Sequence, residues 1–138
     1  MGKSFLIDFT ENSKLKNFNV VKKILLINQK ITVIEITDYI YPLKKLSGKK
    51  YDISNHINLS GFNPLVGPNF ISLTDVYKSK KGIAIVGLKD GIKPNPHEKK
   101  ILLKINVKAY CYHLIPAAIF AASLGLKIKA VGIVKQKN

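Results

Sequence analysis

The C-terminal half of the chain switches between strand-like and helix-like patterning at short intervals, and few folds accommodate that. Residues 82–88 form a short, almost wholly apolar run, the composition of a central strand covered on both faces. Asn95-Pro96 offers an N-cap with proline in the first helical turn, and Glu98 falls where the helix dipole favours a carboxylate. The pattern predicts a helix to about Lys104, with Ile101, Leu102 and Ile105 on one face. A strand is expected over 107–112. A second helix is expected from Pro116 to Leu124, stopped by Gly125, followed by a last strand over 126–134. Strand, helix, strand, helix, strand with short links predicts a right-handed parallel unit, and so an α/β fold.

The N-terminal third reads as strands. Residues 5–7 form a short apolar run. Residues 20–21 and 24–27 lead through Asn28-Gln29-Lys30, a turn signal, into the β-branched run 31–36, which predicts a hairpin. Residues 39–50 carry Pro42 and Gly48 and read as an irregular basic loop, and 51–58 as another strand. A hairpin added to a parallel unit predicts a mixed, mostly parallel sheet with helices. No repeat, low-complexity stretch or linker divides the chain, so one domain is expected over 1–138, with a β-hairpin region at 1–50 and a frayed tail from Lys135.

At 138 residues the chain can bury a core without staples. Its longest apolar run, 114–122, contains Pro116 and falls far short of the roughly 20 residues of a membrane span. The N-terminal MGKSFLIDF lacks the long apolar region of a signal peptide. Cys111, the single cysteine, lies in an apolar run and is expected to be a buried, inert thiol. Together these predict a cytoplasmic protein without a membrane partner. The net charge of +15 comes from lysine alone, because the sequence contains no arginine. Arginine supplies the fork that grips phosphate and guanine bidentately. Lysines such as Lys44-Lys45, Lys49-Lys50, Lys127, Lys129, Lys135 and Lys137 hold polyanions loosely, with strong salt dependence. A solvated basic surface is the leading reading, with nucleic acid as the lesser one.

Nucleotide-binding glycine loops and paired-cysteine metal spacings are absent, and His56, His97 and His113 are too scattered to share a metal, so no metal or cofactor is expected. His97 reads as surface and His56 as a loop-fixing hydrogen-bonder. His113 stands where a strand ends and a helix begins, the place where open α/β sheets bind ligands. The carboxylates Asp8, Glu11, Glu35, Asp38, Asp52, Asp75, Asp90 and Glu98 form no pair in sequence, and Asp75 reads as a cap. No nucleophile elbow is present.

Residues 55–69, NHINLSGFNPLVGPN, are dense in Gly, Pro and Asn, which fix backbone bends. This segment resembles the "DHINL…G…NPL.GPN" stretch of the trimeric purine nucleoside phosphorylase and methylthioadenosine phosphorylase family, and residues 70–77 are similar to its "FPDMSDAY". Residues 109–116, AYCYHLIP, look like that family's "AVGMSTVP", and 125–128, GLKI, like its "GLRV". The resemblance covers about 51–136 of a chain half the usual length, and implies a shortened nucleoside phosphorylase-like fold. It puts Tyr112 and His113 where the family has a Met-Ser pair lining the ribose and phosphate site. Gln136 stands for the purine-contacting Asn, Phe62 for a Phe that reaches into the neighbouring subunit, and Tyr77 for the Tyr of the second motif.

The departures are as informative. Residues 89–94 carry no glutamate where the family reads purine with one, and the glycine-serine phosphate loop, the phosphate-binding arginines and the C-terminal nucleoside-contacting His have no counterpart. The resemblance therefore implies a homo-oligomeric domain without standard phosphorolysis that keeps a pocket for a nucleobase, nucleoside or small anion. The alternatives are an active nucleoside-processing enzyme with a rebuilt site, His113 as acid or base and phosphate as co-substrate, or a lysine-rich nucleic-acid-binding module on the same scaffold.

Overall fold

The computed structural model describes residues 3–27, 30–61 and 76–135. Its central strand is β2 (Ile31–Pro42), in which Ile34, Ile36, Asp38 and Ile40 are buried and the residues between them half-buried, the period of two that a pleated strand imposes. β1 (Lys3–Asp8) runs parallel to β2, with Ile7 opposite Ile36. On the other side β6 (Lys127–Val134) is also parallel, with Ile34 opposite Ile128. β3 (Lys50–Asn58) pairs antiparallel with β6 and parallel with β4 (Ile83–Gly87), which pairs parallel with β5 (Val107–Cys111). β5 returns antiparallel to the far end of β2, through Tyr41–Tyr110 and Pro42–Ala109.

The expected mixed α/β sheet is present and parallel pairings predominate among the described residues. It is not an open sheet, however. Strands β2, β6, β3, β4 and β5 close on themselves like a barrel, and β1 flanks β2. The expected C-terminal parallel unit holds for β4 and β5, whereas β6 crosses to lie between β2 and β3.

The expected N-terminal hairpin is not formed. Residues 18–27 are a helix, α1 (Phe18–Ile27), preceded by a 3-10 turn over Ser13–Lys16. Phe18, Val21 and Leu25 repeat at helical spacing; Val21 and Leu25 are buried, and the Phe18 ring meets Phe120 edge-to-face at 5.8 Å. That packing outweighs the strand preference of the valine pair. A helical crossover also allows β1 and β2 to be parallel, which a tight hairpin cannot do. The turn signal at Asn28-Gln29 lies outside the described residues. β2 further continues to Pro42, through residues expected to form a loop, because its end pairs with β5.

α2 (Pro96–Lys104) starts as expected. The Asn95 side chain accepts from Glu98 N at 2.8 Å, and Asn95 N donates to Glu98 Oε1 at 2.9 Å, a complete capping box. Its apolar face is narrower than expected: Leu102 is buried against Val86 and Val107, while Ile101 and Ile105 are exposed. α3 (Leu114–Ser123) is buried from Leu114 to Ala121, as a helix apolar all round must be. It ends where Gly125, at φ +78, lets Gly125 N reach Ala122 O at 3.0 Å and Leu126 N reach Ala121 O at 3.2 Å. Among the described residues no helix is long and apolar enough to cross a membrane.

Candidate functional site

The carboxyl ends of the strands converge on one side of the sheet. Phe9 follows β1, Lys89 and Asp90 follow β4, and Tyr112 and His113 follow β5. With Phe18 of α1 and Leu88 they line a hollow of about 200 Å³. A second hollow of about 380 Å³ adjoins it, sharing Phe9, Lys16, Asp90, Tyr112 and His113 and adding Asp38, Tyr39, Tyr41 and Lys135. Phe9, Phe18, Tyr112 and His113 bring rings to the first hollow, beside Leu15, Lys16, Val21 and Lys89. The His113 ring stacks on Phe9 at 5.8 Å and 30°, and Tyr41 stacks on Tyr110 at 5.2 Å. Tyr112 tilts against Tyr41 at 5.5 Å and donates its hydroxyl to Ile92 O at 2.9 Å. Lys135 Nζ sits 4.6 Å above the Tyr39 ring, a cation–π contact.

The structure brings Tyr112 and His113 together in this cleft. Partial burial holds the His113 imidazole below its ordinary pKa, against the pull of Asp90, whose Oδ1 lies 3.9 Å from His113 Nε2. That separation is too long for a hydrogen bond, and Asp90 is exposed, so the pair is loose and screened. Burial, helped by neighbouring tyrosines, pushes the Tyr112 phenol up to about 12. Tyr112 is therefore a neutral hydroxyl over the physiological range.

Asp38 lies at this site without having been singled out. It stands in the buried row of β2, 4% exposed, and its carboxylate accepts from Tyr39 N at 2.7 Å, His113 N at 3.3 Å and Leu114 N at 3.1 Å. The last two amides open α3, whose N-cap His113 makes no side-chain capping bond. A β2 carboxylate thus caps a helix far along the chain. Burial pushes Asp38 up to about 7, opposed by those three donors. The signal available in the sequence is the alternation Ile34, Ile36, Asp38, Ile40, which places a carboxylate in an apolar register.

Tyr77 is not in the cleft. It is 3% exposed, bridges to Ile128, and its hydroxyl lies 2.6 Å from Nδ1 of His56, which is itself buried within β3. Among the described residues His56 Nε2 has no hydrogen-bond partner, and burial holds the ring down at about 4, so it is neutral. Phe62, Asp75 and Gln136 lie outside the described residues, as does most of the 55–69 segment. His97 is exposed on α2, and Cys111 is a fully buried free thiol that burial pushes well up from its ordinary value. The lysines of β3 and β6 lie at opposite ends of the paired strands. Lys50 pairs with Ile133 near the end of β6, whereas Lys127 and Lys129 lie near its start, about 13 Å or more away at strand rise. Lys129 also has Glu35 as its cross-strand partner.

No family model and no curated protein matches the chain. Among solved structures, isoform 2 of purine nucleoside phosphorylase from Schistosoma mansoni, in complex with cytosine and ribose-1-phosphate, matches with a TM-score of 0.68 and 22% identity over 83% of this chain. Schistosoma purine nucleoside phosphorylase in complex with hypoxanthine matches with a TM-score of 0.71, and with guanosine 0.70, each at 19% identity over 86% of this chain. The chain spans 50–57% of the length of these three. It has the purine nucleoside phosphorylase-like fold, as the motifs at 55–77 and 109–116 lead one to expect.

Proposed function

We propose that the chain is a ligand-binding domain of nucleoside phosphorylase-like fold that takes a nucleobase or nucleoside at the strand ends and does not carry out standard phosphorolysis. The observation that carries this reading is the hollow of about 200 Å³ into which Phe9, Phe18, Tyr112 and His113 bring rings. It is smaller than the roughly 300–1,000 Å³ of drug-sized sites, and its flat rings suit a single planar heterocycle. Support also comes from the structures of similar fold, described in complex with cytosine, hypoxanthine and guanosine. Phosphorolysis has to hold phosphate against the anomeric carbon and stabilise charge on the departing base. The chain has no arginine for the first task and no glutamate over 89–94 for the second.

A thermal-shift series with bases and nucleosides, each with and without phosphate, tests this. A base or nucleoside at about 100 times its dissociation constant adds about 2.7 kcal/mol of stability. That raises the melting temperature by several degrees. The expected result is a purine-dependent rise that phosphate leaves unchanged, and no release of free base from inosine or guanosine. No rise with any of them would refute the reading.

A rebuilt active site is the second reading, favoured by the approach of His113 to Asp90 within the cleft. It requires phosphate-dependent or water-dependent base release that His113→Ala abolishes. The reading also includes self-association. β1 is paired on one side only among the described residues, and Leu6 on it is 53% exposed. Such edges are normally covered. Light scattering is expected to give a multiple of 15.4 kDa at micromolar concentration, and a monomer mass would remove this part of the proposal.

A further inference from the structure

An open helix N-terminus is a ready seat for an anion, because its first amides and its dipole both favour negative charge. In α3 that seat is already taken by the chain itself. Asp38 Oδ2 accepts from His113 N and Leu114 N, and Oδ1 is held by Tyr39 N. The carboxylate comes from β2, 75 residues before His113, so the contact is fixed by strand packing and not by a local turn. Asp38 also lines the second hollow, so the carboxyl group borders the space a ligand would enter.

We infer that Asp38 sets the ligand class of the cleft: it admits an uncharged planar heterocycle, as a free base or a nucleoside, and excludes a phosphate group from the start of α3. This rests on the ligand-binding reading above and narrows it. A phosphate placed there would have to displace a buried carboxyl group from the two amides it accepts from, and that is unfavourable. In the first hollow Phe9, Phe18, Tyr112 and His113 offer ring faces, beside Lys16 and Lys89. Lys16 and Lys135 face the second hollow and attract phosphate on their own account, so the test must read the α3 amides and not total binding.

The experiment is a 15N NMR titration of the full chain with inorganic phosphate, and separately with guanosine and guanosine monophosphate. In the wild type, phosphate is expected to leave the His113 and Leu114 amides unmoved. Asp38→Ala should make both amides respond to phosphate, with affinity at least about tenfold above the wild type once the two amides are no longer occupied. Asp38→Val removes the acceptor while suiting the apolar register of β2 and should gain in the same direction, which covers the case in which the alanine variant does not fold. The monophosphate should move the Leu114 amide of the wild type no further than guanosine does. Phosphate shifts at His113 and Leu114 in the wild type, variants that gain nothing, or a Leu114 amide that the monophosphate moves further than guanosine does would each overturn the inference. If guanosine does not bind at all, the ligand-binding reading fails, while the phosphate arm still decides whether Asp38 guards α3.

Discussion

Gly82→Ala is expected to lower stability by about 3 kcal/mol or more, enough to leave much of the chain unfolded at ordinary temperature. A Cβ at Gly82 would overlap Asp52 O and lie 2.8 Å from Asp52 C, both backbone atoms of β3. Backbone inside a paired strand cannot swing aside as a side chain does. The close approach has a cause in the register. Ile53 pairs with Ile83 and Asn55 with Ala84, so β3 carries an extra residue, Ser54, and bulges toward the start of β4. Glycine at such a point marks where two backbones meet. Gly125→Ala makes the comparison. Its φ is +78 but nothing lies within 4 Å, so only the left-handed conformation is penalised, at roughly 1 kcal/mol. Urea unfolding of both variants separates the two mechanisms. Equal losses would mean that β3 yields at Asp52 and that the bulge is not rigid.

The C-terminal half was legible because its signals are local. Asn95-Pro96 with Glu98 specifies a helix start, Gly125 a helix stop, and the 83–87 run a covered strand, and each holds within a residue or two. The N-terminal helix was not, because Val20-Val21 and the turn-like Asn28-Gln29 are good hairpin signals; α1 is helical through its packing on α3, almost a hundred positions later. Closure of the sheet was hidden for the same reason. It depends on the end of β2 meeting Tyr110 and on β3 meeting β6, pairings that no short window contains. At the site, Tyr112 and His113 could be placed at a strand end from the strand–helix punctuation around them. Tyr77 could not be assigned from its motif, since only the fold reveals that it turns inward to His56. Asp38 was visible as a charge in an apolar register, but what it caps comes from the other half of the chain.

The two buried titratable groups with opposite shifts give the second large effect. In the folded chain Asp38 titrates near 7 against an ordinary 3.8, because burial disfavours its charge. Over that window the folded state holds a proton that the unfolded state has lost. Asp38 therefore contributes stability that is fully present below about pH 4 and is lost as the pH rises through about 7. His56 behaves in the opposite sense, titrating near 4 against 6.5. Its contribution is fully present above 6.5 and is lost as the pH falls toward 4. Each slope approaches about 1.4 kcal/mol per pH unit, so between about pH 4.5 and 6 the two oppose one another. The wild type should vary little across this interval. Asp38→Asn should unmask the histidine limb, to which His113 adds in the same sense, so that stability climbs by roughly 2 kcal/mol from about pH 4.5 to 6. His56→Gln should unmask the other limb and become less stable over the same rise. Urea midpoints at several pH values read both slopes directly. Parallel curves for the wild type and Asp38→Asn would mean that the carboxylate is already charged throughout, held ionised by its amide donors, and that burial does not dominate at the mouth of α3.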